Sequence, residues 1–328
     1  MRGVERNYKS SIRRAMLGTA LLSLIATAAL AQQSQKRGQW RLDPFKLIGN
    51  IYYVGLSNNT SFLITTPKGL ILLDPTLEAA VPDIRKNIEE LGFKVSDIKI
   101  ILQAHAHGDH VGGLAKFKEI TGAQVVVMEQ DAAVLADGGK SDFRGNEHWT
   151  PVKADRIVHD GEKVELGGVS MVAHLTAGHT KGCTTWSTIA QENGKKYNVV
   201  FVCSVRMNTG VPLLNNAKYP NIVQDFEHTF ATLRALPADV FTFSHGNMFD
   251  LEGRIARMKQ GGPNPFIDPD GYRRLVAEYE KAFRDQLAKE RAGGPPYPVS
   301  PPPAPVCPDN GRTCYGSAEA ATPAKAGA

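Results

Sequence analysis

The sequence predicts a layered α/β fold, and three observations carry that prediction. Short β-branched or apolar runs recur between residues 50 and 243. Amphipathic stretches of helical period separate several of them. The residues equipped for chemistry gather where apolar runs give way to glycine, which is where a layered α/β fold places its site. With 328 residues, 42% of them hydrophobic and 22% charged, the chain has ordinary globular composition and ample material for a core.

Gln32 to Asp43 is polar and reads as a loosely held arm. Asn50 to Val54 and Ser61 to Thr65 read as strands, with Ser57-Asn58-Asn59 as the turn between them, and Gly69 to Asp74 as a third. Val81, Ile84, Ile88 and Leu91 form a helical stripe over Glu78 to Leu91, closed by Gly92. Ile98 to Leu102 is a short buried strand, followed by a helix from Leu114 to Thr121 with Gly122 as its stop, and then a strand from Val125 to Met128. Residues 138–155 lack periodicity and read as a long surface loop able to overhang a site.

The second half repeats the theme. Arg156 to His159, Val164 to Leu166 and Val169 to Leu175 read as strands punctuated by Asp160-Gly161 and Gly167-Gly168. Thr184 to Ala190 and Tyr197 to Val202 flank Glu192-Asn193-Gly194, a hairpin signal. A helix over Ile222 to Leu236 leads into a strand over Val240 to Phe243. Asp268-Pro269 then caps a last helix reaching about Glu290. No internal linker splits residues 40–292, the domain is taken as 32–292, and its two halves read as similar strand-rich blocks facing each other. After Gly293 the composition turns to Pro, Gly and Ala, so 293–328 reads as a disordered Pro-rich tail.

The N-terminus reads as an address. Arg2, Arg6, Lys9, Arg13 and Arg14 precede an apolar run from Ala15 to Leu30 ending in Ala29-Leu30-Ala31, the pattern of a cleaved secretory signal over residues 1–31. The run is shorter than the roughly 20 apolar residues that span a bilayer, so no stable membrane anchor is expected after cleavage. The implied location is the periplasm. Arg13-Arg14 also bears a faint likeness to a twin-arginine signal. Cleavage removes five basic side chains and one acidic one, taking the formal charge from +5 to +1. A nucleic-acid partner therefore has little electrostatic support.

Export makes disulfides permissible. Cys307 and Cys314, close together in the tail, read as a small bridge, whereas Cys183 and Cys203 read as two small buried apolar side chains.

The chemistry concentrates after Ile98–Leu102, where His105, His107, Asp109 and His110 fall within six residues. On extended backbone, residues two apart share a face, so His105 and His107 can reach one ion. Asp109 and His110, past the strand end, can turn toward a second, with Gly108, Gly112 and Gly113 freeing the backbone to turn. A single histidine in a solvated turn is unremarkable; four donors after a core strand are not. His179 and His245 also follow short apolar strands and adjoin glycine. The remaining histidines, His148, His159, His174 and His228, lack converging partners and read as structural or surface residues. Five imidazoles and one carboxylate are too many for one tetrahedral zinc but suit two, each with an open position.

Three motifs give the chain a family resemblance: His105-x-His107-x-Asp109-His110-Val-Gly-Gly, Ala177-Gly-His179-Thr-x-Gly-x-Thr-Thr-Trp186, and Ser244-His245-Gly246. Tyr219-Pro-Asn, Leu233-Arg-Ala-Leu-Pro237 and Asn264-Pro-Phe-Ile-Asp-Pro269 add to it. Over about residues 40–290 the chain resembles the metallo-beta-lactamase superfamily, and within it the subclass B3 beta-lactamases.

That resemblance implies a four-layer αββα sandwich with two central mixed β-sheets. It implies a first zinc on His105, His107 and His179 and a second on Asp109, His110 and His245. The implied reaction is attack of a metal-bound hydroxide on the amide of a beta-lactam (penicillins, cephalosporins and carbapenems), with Asp109 orienting the hydroxide. Substrate-carboxylate contacts are implied after Val202, at Ser204 and Arg206, and a monomer is expected.

The resemblance favours Ser204 over Cys203 as the residue facing the metals, and Ala238 stands where some members carry a bridging cysteine. The alternative is another hydrolase of the fold, a lactonase or glyoxalase-like thioesterase, but those typically carry a bridging Asp where this chain has Cys203-Ser204. The related diiron oxidoreductases replace the second histidine of the first motif with Glu. Nothing in the chain resembles an interaction module, which disfavours a non-enzymatic zinc binder.

Overall fold

The structure, a computed structural model, describes residues 39–145 and 147–297 and the backbone of 314–315. The described residues from Trp40 to Tyr297 belong to one compact unit. The expected signal segment, most of the polar arm, most of the tail and a Cys307–Cys314 bridge lie outside the described residues. Among the described residues no helix is long and apolar enough to cross a membrane.

Residues 40–297 form two mixed sheets with helices on their outer faces, the four-layer sandwich expected from the resemblance. The first sheet runs in chain order: β1 (Phe45–Ile48), β2 (Ile51–Tyr53), β3 (Phe62–Thr66), β4 (Gly69–Leu73), β5 (Ile98–Leu102), β6 (Gln124–Met128) and β7 (Arg156–Val158). Pairing is antiparallel through β4 and parallel from β4 to β7. The parallel steps need crossover connections. These are supplied by α1 (Val81–Glu90) between β4 and β5, and by α2 (Gly108–Val111) and α3 (Leu114–Thr121) between β5 and β6. The helix α4 (Glu129–Asp137) follows β6.

The second sheet has the order β12-β11-β10-β9-β8, with β8 (Lys163–Leu166), β9 (Val169–Leu175), β10 (Thr184–Glu192), β11 (Lys195–Val202) and β12 (Val240–Phe243). β8 to β11 form an antiparallel meander, and β12 joins β11 in parallel. The crossover is α5 (Ile222–Ala235); α6 (Leu251–Lys259) and α7 (Pro269–Arg291) complete the chain. As the sequence predicts, Pro269 opens α7 and the Asp268 carboxylate accepts from Gly271 N–H at 2.9 Å.

Strand alternation sorts the core into two layers. Leu63, Leu70, Leu72, Ile101, Val125 and Val127 face the outer helices, packing with Ile84, Ile88, Leu114 and Phe117. Phe62, Ile64, Ile71, Leu73, Leu102 and Val126 face the other sheet, meeting Ala173, Trp186, Val199 and Phe201. Burial on both faces explains why these strands read as continuous apolar runs.

Several elements were not legible in the sequence. β1, α2, α4 and α6 are absent from the sequence reading, and β10 runs two residues beyond Ala190. Residues 138–155 are irregular as expected but do not simply lie on the surface. Asp142, Phe143 and Val152 are buried, and Trp149 donates its indole N–H to Leu135 O at 3.3 Å.

The clearest correction concerns Cys183 and Cys203, which form a disulfide with a Cα–Cα distance of 5.9 Å. The pairing of β10 with β11 puts Trp186 opposite Phe201. Carried outward, that register sets Thr184 opposite Cys203 and Cys183 opposite Ser204, so the two cysteines are diagonal neighbours at the open end of the hairpin. The hairpin signal at Glu192-Asn193-Gly194 already implied this adjacency. Opening a loop of this length costs about 3 kcal/mol in the chain-entropy account. We therefore expect the Cys183→Ser, Cys203→Ser double variant to unfold with a free energy lower by about that amount, measured by urea denaturation. An unchanged midpoint would assign the stability of this edge to apolar packing alone.

Candidate metal centre

The ends of β5, β9 and β12 open at one edge of the sandwich, and each delivers donors. His105 and His107 lie in the loop after β5. Backbone anchors on both sides hold that loop: Ala104 N–H donates to Asp74 Oδ1 at 2.6 Å and Ala106 N–H to Asp131 Oδ2 at 2.8 Å. α2 then turns the chain within a single helical turn, bringing Asp109 and His110 back over the same edge. The following glycines are needed for close approach rather than for turning. Gly112 has ordinary helical angles, but a Cβ there would lie 2.5 Å from Gly108 O and 2.9 Å from Glu78 N.

His179 sits in the loop between β9 and β10. Its Nδ1 donates to Arg206 O at 2.8 Å and its carbonyl accepts from Asn208 Nδ2 at 2.7 Å. With Nδ1 spent on a carbonyl, Nε2 is the nitrogen free to bind an ion. The rings of His105, His107 and His179 lie 4.8 Å apart, centroid to centroid, in all three pairings. Their candidate donor atoms all fall within 4.8 Å of one another. His105 Nε2 and His107 Nε2 are buried and have no hydrogen-bond partner, although buried polar atoms are as a rule satisfied.

The second group joins Asp109, His110 and His245. Asp109 Oδ2 is 3.3 Å from His110 Nε2 and 3.6 Å from His245 Nε2, and those two nitrogens are 3.3 Å apart. His110 Nδ1 faces Asp74 Oδ2 at 3.1 Å. Asp74 holds both arms of the β5 loop from a left-handed backbone, φ 57°, a conformation uncommon for a side-chain-bearing residue and kept only where surroundings enforce it. Asn59 Nδ2 donates to Asp109 O at 3.0 Å and to Asp109 Oδ2 at 2.8 Å. Asn58 Nδ2 lies 3.3 Å from His245 Nδ1. The segment read from sequence as a turn is therefore a support for the second group.

The electrostatics divide the two groups. Burial and then the neighbouring histidines hold His105 well below the usual histidine pKa. Burial and then the Arg144 guanidinium do the same to His107 and His179. Burial and His110 lower His245 to about 3. These imidazoles are neutral at pH 7, the form that binds metal. Burial alone would raise Asp109, but His110 overrides it and the carboxyl falls well below its usual range. His110 shows the reverse: against burial, Asp109 and Asp74 lift it to about 10. Two carboxylates flanking one ring call for positive charge at that spot, whether from a proton or from a metal ion.

The donors therefore fit a nitrogen-rich metal site. Zinc is suited by imidazole and carboxylate without thiolate. Cys183 and Cys203 also come within ligand distance of His105, with Cys203 Sγ 3.7 Å from His105 Nδ1, but their sulfurs are bonded to each other. Ser204 is buried and its hydroxyl has no partner, while Arg206 is half-buried. The loop after Gly138 closes one flank: Glu147 accepts from Gly108 N–H with Oε2 at 2.7 Å and pairs through Oε1 with Arg144, whose Nη1 reaches Asn208 Oδ1 at 3.3 Å. The other four histidines stay outside both groups. His148, His159 and His228 are exposed, and His174 Nε2 meets Ser187 Oγ at 2.7 Å.

Comparison with known proteins agrees with this geometry. The chain is 42% identical to the native FEZ-1 metallo-beta-lactamase from Legionella gormanii, with a TM-score of 0.75 over 77% of this chain and 98% of that one. It is 38% identical to BJP-1, a subclass B3 metallo-beta-lactamase of Bradyrhizobium japonicum, with a TM-score of 0.73 over 80% of this chain and 99% of that one. A hydroxyacylglutathione hydrolase of Rhodopseudomonas palustris (strain HaA2) is 28% identical over 184 residues, 56% of this chain and 60% of that protein's length. The sequence pattern of the metallo-beta-lactamase superfamily matches residues 54–245, a span running from β2 to the last histidine of the second group. Fold and sequence pattern agree, and the chain belongs to the metallo-beta-lactamase superfamily.

Proposed function

We propose that this chain is a zinc-dependent beta-lactamase that holds two ions and opens the beta-lactam amide bond. The observation that carries the proposal is the convergence of six donors in two adjoining groups, with two buried histidine nitrogens lacking a hydrogen-bond partner. His105, His107 and His179 would hold one ion, and Asp109, His110 and His245 the other. When bound, such a pair supplies Lewis acidity and lowers the pKa of an attacking water.

The chain's own residues do the rest. Asp109, fixed by Asn59, accepts a hydrogen bond from the attacking water and orients it toward the amide carbonyl. Arg206 offers a two-pronged contact to a substrate carboxylate, and Ser204 adds the unpartnered hydroxyl at its side. Glu147 and Arg144 pin the 138–155 loop over His107 and keep water from that flank. The 1–31 segment would direct the chain to the periplasm, a location with which an internal disulfide agrees. The working form would be a monomer.

The curated relative supports a second reading, hydrolysis of a glutathione thioester. Against it stands the end of β11, where Cys203 is consumed in a disulfide and no carboxylate is offered. Thioesterases of the fold typically carry a bridging Asp at that point.

The purified chain is expected to hydrolyse imipenem and penicillins, to lose the activity to a chelator and to regain it with zinc. A protein that carries two zincs, leaves every beta-lactam intact and cleaves a glutathione thioester would establish the second reading instead. His245→Ala is expected to deplete one ion per chain while the three-histidine ion stays, measured by metal content. Equal loss of both would refute the division of donors. Arg206→Ala is expected to raise KM for carboxylate-bearing substrates about tenfold, the size of one charged hydrogen bond, with kcat little changed. An unaltered KM would make Arg206 a surface residue.

A further inference from the structure

Asp74 reaches both donor groups, and a second carboxylate outside the six donors braces the loops of the three-histidine group. Asp131, on α4, is 1% exposed. Its Oδ2 accepts from Ala106 N–H at 2.8 Å and from the Thr180 hydroxyl at 3.0 Å, and its Oδ1 accepts from Gly182 N–H at 2.8 Å. Ala106 stands between His105 and His107, and Thr180 follows His179. A single side chain thus ties together the two loops that carry the three-histidine group, one from each sheet. Contact is close enough to dictate the neighbouring residue: a Cβ at Gly182 would lie 2.5 Å from Asp131 N and 2.6 Å from Asp131 Cβ.

Three donors and an acceptor-only carboxylate match in full, which explains how a carboxyl is tolerated there. Burial nevertheless opposes its charge and raises its pKa to about 6. No arginine or lysine pairs with it among the contacts described, so the site keeps a costly ionised group for what it holds in place. On the other side, Asn59 Nδ2 donates to Asp109 O and Oδ2 and lies 3.5 Å from His110 Nε2.

We propose that Asp131 is a positioning residue that sets the spacing of His105 and His107 against His179, and so governs affinity for the ion in the three-histidine group alone. This rests on the metal assignment above. Outer supports of metal ligands typically contribute 10- to 100-fold in affinity.

Asp131→Asn keeps the shape but turns an N–H toward a donor, and Thr180→Val removes one of the three hydrogen bonds at equal volume. Cobalt(II) titration of the full chain, followed by visible absorption and competition with a chelator, reads the two groups separately. Asp131→Asn is expected to weaken the three-histidine ion about 10- to 100-fold, with Thr180→Val in between and the other ion unchanged. Asn59→Ala is expected to do the opposite, weakening only the ion held by Asp109, His110 and His245.

Equal loss of both ions in Asp131→Asn and Thr180→Val would reduce Asp131 to a general structural role and overturn the proposal. Unchanged affinity in both variants, with the wild-type chain binding two ions, would overturn it while leaving the metal assignment intact. A wild-type chain that takes up no cobalt would overturn the metal assignment and this inference with it.

Discussion

A ring nitrogen buried without a partner costs free energy, of the order of 1–3 kcal/mol for each group, and this fold buries two of them side by side. The rest of the edge is arranged around that cost. Three of the imidazoles meet a carbonyl or a polar side chain with their second nitrogen: Arg206 O for His179, Asp74 for His110 and Asn58 for His245. What remains is a set of nitrogens and one carboxylate oxygen directed at shared space. Such an arrangement destabilises the bare chain and is repaid only by a positively charged guest.

The two sheets make this possible because each contributes part of the set. β5 brings four donors on one loop and one short helix, while β9 and β12 bring one each from the opposite sheet. The strands are fixed by apolar burial on both faces, so their ends are rigid points from which short loops project. Rigidity at the strand ends is what allows side chains far apart in sequence to meet within a few ångströms.

Much of this was legible in the sequence. Density of donors after an apolar run marks the β5 loop, and the glycine-flanked histidines after β9 and β12 mark the other two contributors. The supports were not. Asp74, Asp131, Asn58 and Asn59 are ordinary polar residues whose partners lie 25 to 187 positions away, and no local pattern records such a distance. α4 was missed because its apolar residues, Ala132 to Ala136, run together without helical spacing, and the helix follows a strand without a break. The disulfide could have been read, since the hairpin turning at Asn193 and Gly194 brings Cys183 and Cys203 to diagonal, neighbouring positions. The apolar surroundings of the two cysteines pointed instead to simple burial.

That link also bears on the order in which the molecule is assembled. It closes across 20 positions and needs only its own hairpin, whereas His245 lies more than 40 positions further along the chain. During synthesis from the N-terminus, both sulfurs emerge before the final histidine exists. The covalent tie can therefore be in place beneath His105 while the last of the six donors, His245, is still unmade. A cell compartment able to oxidise thiols early would hand the later segments a scaffold already locked at the edge they must complete.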